Sequence, residues 1–193
     1  EARQPQATAY DPRKRLWYQV GAAKPEPQSV GPYVAASTNT LTFSLVARLE
    51  ADPTVVFGAD VLIDNISAML AEQAVSRNAK GYVFDGDGRL VVHSDPAVME
   101  EIAKKLADGS SSSDKTITSD PVFPAVAALL RDKQGDQARL LGFVVGGENY
   151  VARLARLGTA EDAVDGGIAV IVAPLSDFTA DSLHLLNQTL SVA

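Results

Sequence analysis

The strongest constraint on the fold is a run of short apolar segments separated by glycine-rich turns in the second half of the chain. Gly-Asp-Gly at residues 86–88 and Gly-Gly-Glu-Asn at residues 146–149 each lie between two such segments, and this arrangement predicts two β-hairpins. The predicted strands cover residues 80–85, 89–93, 138–145, 150–157 and 167–172. Helices are expected over residues 97–106 and 121–130. This order indicates the α+β class, in which helices gather on one face of an antiparallel sheet.

The first half of the chain shows the end of the same plan. Residues 41–49 begin with apolar and polar side chains in alternation, which is typical of a half-buried strand. Residues 54–62 predict a second and more deeply buried strand, with Asp60 in its apolar end. A lone carboxylate there is costly unless a cation or a hydrogen-bond donor meets it. Asp64 is expected to cap a helix over residues 65–75.

Composition excludes several classes of function. The 193 residues carry a formal net charge of −7, which argues against a nucleic-acid surface because such surfaces are basic. The chain has no cysteine and only two histidines, so disulfides, thiol nucleophiles and Cys- or His-rich metal sites are excluded. No apolar run approaches the roughly 20 residues that a membrane helix needs, and no signal peptide is visible. The first residues resemble the middle of a longer protein rather than a natural start.

Residues 10–18, with the sequence YDPRKRLWY, concentrate cations and aromatic rings in a chain that is otherwise acidic and poor in aromatics. Arginine is a planar, bidentate donor to carboxylates, and Trp and Tyr provide an apolar wall with a polar tip. The segment therefore suits either a small carboxylate ligand or a structural corner that only pins a loop. A short helix is expected over residues 17–22, and residues 24–40 predict loops and a turn.

Four segments resemble the extracellular double-Cache (dCache) sensor domain, in which two PAS-like lobes lie in tandem beside a long N-terminal helix. They are residues 10–18, Gly31-Pro32-Tyr33, FGADVLIDNI at residues 57–66 and GYVFDGDGRLVVHSDP at residues 81–96. The ending, IVAPLSDFTADSLHLLNQTL, resembles the exit of such domains toward a membrane helix. The chain is most similar to the domains that precede bacterial class III adenylate or guanylate cyclases, and histidine kinases and chemoreceptors share the domain.

The resemblance implies a division of the chain into three parts. Residues 1–76 would form the latter part of the membrane-distal lobe, residues 77–175 the membrane-proximal lobe, and residues 176–193 a C-terminal helix that leads toward the membrane. Both lobes would carry antiparallel sheets flanked by helices. The long first helix of the family and the opening strands of the distal lobe have no counterpart in this sequence, so the distal lobe is incomplete at its N-terminus.

In the amino-acid-binding branch of the family, the distal pocket follows the pattern Tyr-x4-Arg-x-Trp-Tyr, with a later Tyr and a later Asp. The matching residues here are Tyr10, Arg15, Trp17, Tyr18, Tyr33 and Asp60. The resemblance implies that Tyr10, Arg15 and Trp17 hold the α-carboxylate of a ligand. Leu16 departs from the pattern, which usually has Pro before the Trp.

The same resemblance implies that Tyr18 and Asp60 hold the α-ammonium group and that Tyr33 lines the pocket. A zwitterion needs one cationic and one anionic partner a short distance apart. Arg15 and Asp60 could provide both, and this would give Asp60 a reason to lie in an apolar strand.

Two other signals have structural interpretations. Asp85 and Asp87 resemble the start of a calcium loop, but the closing Glu is missing and a hairpin turn accounts for them. His93 could face the proximal pocket, although a structural histidine with its hydrogen bonds satisfied is the preferred interpretation. The sequence contains no nucleophile elbow and no phosphate loop. No catalytic residue, metal site or cofactor is therefore predicted, and the chain itself is not expected to be an enzyme.

The expected function is that of a periplasmic or extracellular sensor in a bacterial inner-membrane signalling protein. The domain would bind a small molecule, an amino acid by the resemblance, and transmit the signal through its C-terminal helix. One face of that helix carries Leu183, Leu186 and Leu190. A homodimer is expected in the full-length protein, the membrane would be reached through flanking helices, and no nucleic-acid partner is expected. Two alternatives stay open, namely a structural or dimerisation module without a ligand, and a module for an amine or an organic acid.

Overall fold

The computed structural model describes residues 10–107, 117–131, 140–157 and 167–179. Two antiparallel sheets flanked by helices form in these parts of the chain, which confirms the predicted α+β class. The first half contains α1 (Leu16–Ala23), β1 (Gln28–Val34), β2 (Leu41–Arg48), β3 (Val56–Leu62) and α2 (Ile63–Glu72). The second half contains β4 (Lys80–Phe84), β5 (Leu90–His93), α3 (Pro96–Ala107), α4 (Phe123–Arg131), β6 (Leu140–Val145), β7 (Glu148–Arg156) and β8 (Ile168–Pro174).

The first sheet has the strand order β1-β2-β3, and α1 packs on one of its faces. We call this the α1 face; across β2 and β3 it carries the paired residues Ser44 and Asp60, and Val46 and Gly58. Gly21 of α1 lies so close to the sheet that an added Cβ would be 2.5 Å from a methyl group of β3. The small residue therefore lets the helix backbone approach the strands, and the helix fixes the segment that precedes it.

The strand β1 was not predicted, because a Gly-Pro pair interrupts it. Val30 pairs with Ser44 and Tyr33 pairs with Thr42, so β1 contains one residue more than β2 between these pairs. This bulge puts Tyr33 on the same face as Val30, although three positions separate them. Gly31 has a φ of +134°, and an added Cβ would lie 2.9 Å from the carbonyl oxygen of Thr42. The bulge therefore requires glycine at this position.

The prediction that β3 is deeply buried is wrong. It is an edge strand of the described sheet, and only Val56 and Val61 among its residues are partly covered. On the face opposite α1, Phe57 is 59% exposed and Leu45 is 40% exposed. Apolar composition alone could not distinguish an edge strand from a central one, because the two differ only in which neighbours cover them.

The predicted cap of α2 is also wrong. The helix begins at Ile63, its N-cap is Leu62, and no side chain accepts a hydrogen bond there. Asp64 instead lies in the first turn, where its charge interacts favourably with the positive end of the helix dipole. The strand β3 runs directly into α2, so the chain has no separate capping residue.

The second sheet has the strand order β5-β4-β8-β7-β6, with all neighbours antiparallel. The two predicted hairpins are present as β4–β5 and β6–β7. In the second of them Val145 pairs with Glu148, so the turn has two residues, Gly146 and Gly147. Both have positive φ, 60° and 86°, which matches the backbone that two-residue hairpins prefer.

The turn of the first hairpin uses its carboxylates for its own geometry. One oxygen of Asp85 accepts hydrogen bonds from the backbone N–H groups of Asp87 and Arg89, at 3.0 and 2.8 Å. The guanidinium of Arg89 pairs with both carboxylates. These contacts support the hairpin-turn interpretation over the calcium loop. Among the described residues, no group of three His, Cys, Asp or Glu side chains could hold a metal ion.

His93 is a structural histidine, as preferred from the sequence. Its side chain is fully buried, and its Nδ1 accepts a hydrogen bond of 2.8 Å from the backbone N–H of Asp95. The proton of the neutral ring therefore lies on Nε2, which is 3.3 Å from the carboxylate of Asp120. The ring also packs edge-on against Tyr82.

Asp120 joins the second sheet to the start of α4. Its carboxylate is 1% exposed and accepts hydrogen bonds from Lys80 at 2.5 Å and Tyr82 at 2.7 Å, as well as from the backbone N–H of Val122. Burial raises the pKa of Asp120, but the hydrogen bonds from His93, Lys80 and Tyr82 outweigh it and hold the pKa well below its ordinary value. This buried charge is thus compensated from two strands.

The predicted boundary near residues 76 and 77 falls between α2 and β4, and one sheet lies on each side of it. The buried core is nevertheless continuous, since Leu41 and Ile63 belong to the same cluster as the apolar residues of the second sheet. The division into lobes stays a prediction. The leucines of the last predicted helix and His184 lie outside the described residues. In the described parts of the chain, no helix combines the length and apolar character that crossing a membrane requires.

Candidate ligand-binding site

The segment before α1 contains three cations, Arg13, Lys14 and Arg15, and their surroundings differ. Asp11 caps the short 3-10 turn Pro12–Lys14 and forms an ion pair with Arg13 at 2.9 Å. Arg15 is different, because its guanidinium lies over the ring of Tyr10, 4.9 Å from the centroid, and forms no ion pair with any described residue. A guanidinium held by an aromatic face keeps its N–H donors available for an anion.

Trp17 and Tyr18 begin α1 and differ in what they contact. An added Cβ on Gly58 would lie 3.3 Å from the Trp17 ring, so the indole rests on the α1 face beside this glycine. Tyr18 packs edge-on against Trp17 and donates a hydrogen bond of 2.6 Å to the backbone carbonyl of Thr54. In this arrangement Trp17 forms a wall above β3, and the hydroxyl of Tyr18 anchors the β2–β3 turn. The predicted role of Tyr18 with an ammonium group stays a prediction.

The anionic end of the candidate site combines one side chain from each strand of the first sheet, namely Tyr33 of β1, Ser44 of β2 and Asp60 of β3. The hydroxyl oxygens of Tyr33 and Ser44 are 2.6 Å apart, and Ser44 donates a hydrogen bond of 2.5 Å to Oδ1 of Asp60. Burial raises the pKa of Tyr33, and the nearby charge of Asp60 and the phenol of Tyr10 raise it further. Asp60 is exposed rather than buried, and the Ser44 hydroxyl donates a hydrogen bond to its carboxylate.

The structure brings four of the six predicted residues into one neighbourhood. The ring of Tyr10 holds the guanidinium of Arg15, and the phenol of Tyr10 also raises the pKa of Tyr33. The hydroxyl of Tyr33 is linked to Asp60 through Ser44. Arg15 and Asp60 do not form an ion pair with each other. Trp17 stands on the same face of the sheet, two positions along β3 from Asp60. A guanidinium and a carboxylate that are not paired with each other therefore lie in this part of the structure.

Ser44 belongs to the site and was missed from the sequence. It is fully buried, as is Thr42 two positions before it, whereas Leu45 on the other face is 40% exposed. The alternation in β2 predicted a half-buried strand, and in this part of the strand the polar face is the buried one. A polar pair at i and i+2 beside the carboxylate strand was the available signal.

A cavity of about 390 Å³ lies elsewhere, between the β1–β2 turn, α2 and α3. None of the predicted site residues lines it. Its buried hydroxyls are used by the fold, since Ser67 donates to the carbonyl of His93 and Ser94 accepts from the N–H of Gly81. The carboxylate of Asp60 and the ring of Trp17 lie at the α1 face instead.

The contact between Trp17 and Gly58 leads to a first prediction. Gly58→Ala should displace the indole by a few tenths of an ångström and weaken ligand binding about threefold, because geometry at such walls is set by close contact. The change is measured as a dissociation constant for L-alanine together with the emission maximum of Trp17, the single tryptophan of the chain.

The matched control for this prediction is Gly142→Ala, also in a strand, where the nearest atom to an added Cβ is 3.9 Å away. It should leave both quantities unchanged. Equal effects of the two substitutions would show that Trp17 does not need Gly58.

Comparison with known proteins gives relatives of two kinds. No family model matches the chain. It is 27% identical over 187 residues to adenylate cyclase 1 of Rhizobium meliloti, covering 97% of this chain and 27% of that protein. It is also 27% identical over 103 residues to the methyl-accepting chemotaxis protein PctB of Pseudomonas aeruginosa, covering 51% of this chain and 16% of that protein. The chain thus spans only a minor part of these relatives.

Solved structures show the same fold. The ligand-binding domain of PctB in complex with L-Arg matches with a TM-score of 0.61 and 16% identity, over 93% of this chain and 62% of that one. The ligand-binding domain of the Pseudomonas fluorescens chemoreceptor CtaA in complex with L-alanine matches with a TM-score of 0.58 and 15% identity, over 88% of this chain and 64% of that one. The chain therefore has the fold of the dCache ligand-binding domains of bacterial chemoreceptors, and the resemblance that the sequence suggested is confirmed.

Proposed function

We propose that this chain is the ligand-sensing domain of a longer bacterial signalling protein and that it binds a small amino acid or a related amine on the α1 face. The observation that carries the proposal is that two charges of opposite sign are present without an ion pair among the described residues. They are Arg15, which lies over Tyr10, and Asp60, which Ser44 links to Tyr33. A zwitterion offers the complementary groups. Trp17 would cover the guest from the side of the helix.

The electrostatics favour a charged guest at both ends. Arginine binds a carboxylate through parallel N–H bonds, and a carboxylate with a neighbouring phenol oxygen binds an ammonium group. Since Arg15 and Asp60 are not paired with each other, a guest does not have to break an existing ion pair. An organic acid would use only the Arg15 end and a simple amine only the Asp60 end, so a zwitterion should bind more tightly than either.

The relatives support this reading by their printed descriptions. Chemoreceptor domains of the same fold were solved with L-isoleucine, L-alanine and L-arginine, and a further one with GABA. In the proposed mechanism the ligand stabilises one arrangement of the distal lobe. The change would then pass through the proximal lobe to residues 176–193 and onward to an output domain, with the sensor outside the inner membrane.

The proposal is tested by titrating the purified chain with L-alanine, L-leucine, L-arginine and GABA. We expect a rise in the melting temperature with at least one of these compounds, because a ligand that binds only the folded state stabilises it. The fluorescence of Trp17 should change over the same concentration range. Absence of both signals for all four compounds would contradict the proposal.

A second candidate function is suggested by the other face of the first sheet. Phe57 and Leu45 lie there with large exposed fractions, and Ala59 on the same face is the cross-strand partner of Leu45. Such a face suits contact with a second copy of the chain. In that case sedimentation velocity would show a dimer without any ligand. The titrations above would then change neither the melting temperature nor the fluorescence of Trp17.

A further inference from the structure

We infer that Ser44 is a positioning residue that sets the direction of the hydrogen bonds at the anionic end of the site. Because Ser44 takes part in both hydrogen bonds, Tyr33 and Asp60 can offer a guest only hydrogen-bond acceptors. This inference rests on the proposed function, since it concerns how the same site selects a ligand.

The direction follows from counting protons. A serine hydroxyl has one hydrogen to donate, and Ser44 gives it to Oδ1 of Asp60 at 2.5 Å. The contact of 2.6 Å between Ser44 and Tyr33 must then use the hydrogen of the phenol. The bonds therefore run from Tyr33 to Ser44 to Asp60, and neither hydroxyl proton is left over. Burial keeps this assignment in place, because the pKa of Tyr33 is raised and the phenol stays neutral.

We call these two hydrogen bonds, from Tyr33 to Ser44 and from Ser44 to Asp60, the relay. Two oxygen atoms keep lone pairs that the relay does not use, namely Oδ2 of Asp60 and the phenol oxygen of Tyr33, and both are acceptors. A group rich in N–H donors, such as a primary ammonium, pairs with both of them, whereas a carboxylate is repelled. Without Ser44 the phenol hydrogen would be free, and the same end could then donate to an anion.

The relay also holds Asp60 still. Asp60 lies on an exposed edge strand, while Ser44 is fully buried in the middle strand of the sheet. The hydrogen bond from the buried serine orients the exposed carboxylate, and with it Oδ2, before a guest arrives. Such preorganisation lowers the entropic cost of binding.

The test is calorimetric titration of Ser44→Ala, Ser44→Thr, Tyr33→Phe and the Ser44→Ala/Tyr33→Phe double variant with L-alanine and with propionate, its analogue without the ammonium group. We expect Ser44→Ala to bind L-alanine about tenfold more weakly and Ser44→Thr, which keeps the hydroxyl, to bind within about threefold of the parent. The preference for L-alanine over propionate should fall by about tenfold in Ser44→Ala. Tyr33→Phe should cost less affinity in the Ser44→Ala background than in the parent, because both substitutions break one relay and their effects are then less than additive.

The outcomes separate this inference from the proposed function. If the parent chain binds none of the amino acids tested, the function fails, whatever Ser44 does. If the parent binds L-alanine and Ser44→Ala binds it equally well, or if Ser44→Thr is as weak as Ser44→Ala, the relay is refuted and the function stands. If Ser44→Ala does not fold, Tyr33→Phe must reproduce the loss of preference while Ser44→Thr preserves it, and any other result overturns the inference.

Discussion

Replacement of Asp60 by Ala is expected to abolish the ligand-induced rise in melting temperature and to weaken binding of L-alanine by about 100-fold or more. Removing one partner of a close charge pair typically costs a few kcal/mol, and every 1.4 kcal/mol corresponds to about tenfold in affinity. The fold should survive, because Asp60 is exposed on an edge strand and its carboxylate accepts one side-chain hydrogen bond, from Ser44, among the described residues. Calorimetry and thermal unfolding of the variant measure the two effects separately.

Glu50→Ala is the matched control for Asp60→Ala. It removes the same charge from the β2–β3 turn of the same sheet, where the carboxylate is exposed, and it should leave the affinity unchanged. Arg15→Ala should produce a loss similar to that of Asp60→Ala, since it empties the opposite end of the site. Retention of parental affinity in Asp60→Ala would remove the chemical basis of the amino-acid site.

Asp120→Ala should lower the free energy of unfolding by about 3 kcal/mol, because it leaves a buried network without its shared acceptor. Lys80, Tyr82 and His93 all direct donors at this carboxylate, which is 1% exposed. Tyr82 and His93 are fully buried, so solvent cannot accept their hydrogen bonds in place of the missing carboxylate. Urea unfolding at pH 7 measures the loss. The exposed Asp87→Ala is the control, since surface ion pairs contribute little.

The same network predicts how stability depends on pH. The folded-state pKa of Asp120 lies below its ordinary value of 3.8, so its contribution is complete above that value and is lost as the pH falls below it. The parent chain should therefore lose more stability than Asp120→Ala between pH 5 and pH 3. Parallel stability profiles for the two proteins over that interval would contradict the assignment of Asp120 as the stabilising charge.

Much of the second half could be predicted from the sequence, and local chemistry explains why. The β6–β7 turn has two glycines at positive φ, and the longer β4–β5 turn is held by Asp85 and has Gly88 at positive φ. Such turns specify hairpins without help from distant residues, and both hairpins were found with nearly the expected bounds. His93 was also placed correctly as a structural residue. The dCache resemblance likewise led from residues 10–18 to the correct fold.

The errors share one cause, which is that they depend on neighbours distant along the chain. The burial of β3 was overestimated because edge and central strands have similar compositions. The strand β1 was missed because its glycine and proline are typical of turns, whereas here they form a bulge in a paired strand. Burial of the polar face of β2 was not predicted, because alternation gives a period but not a direction.

The candidate site also contains residues that could be predicted from the sequence and one residue that could not. The residue types at Tyr10, Arg15, Trp17, Tyr33 and Asp60 were identified from spacing within the family pattern. Ser44 was not, because its role exists only where β2 passes between β1 and β3.

By itself the sequence predicted the hairpins and the α+β class, because these follow from short-range backbone preferences. The family resemblance implied that Arg15 and Asp60 are the charged groups that a ligand would meet, and that role stays a prediction. Only the tertiary structure decided that the bulge at Gly31 turns Tyr33 onto the α1 face. It also decided that Ser44 joins this phenol to Asp60. The physical reason is that strand register sets which side chains meet across a sheet, and register depends on pairing between segments that are far apart in the chain.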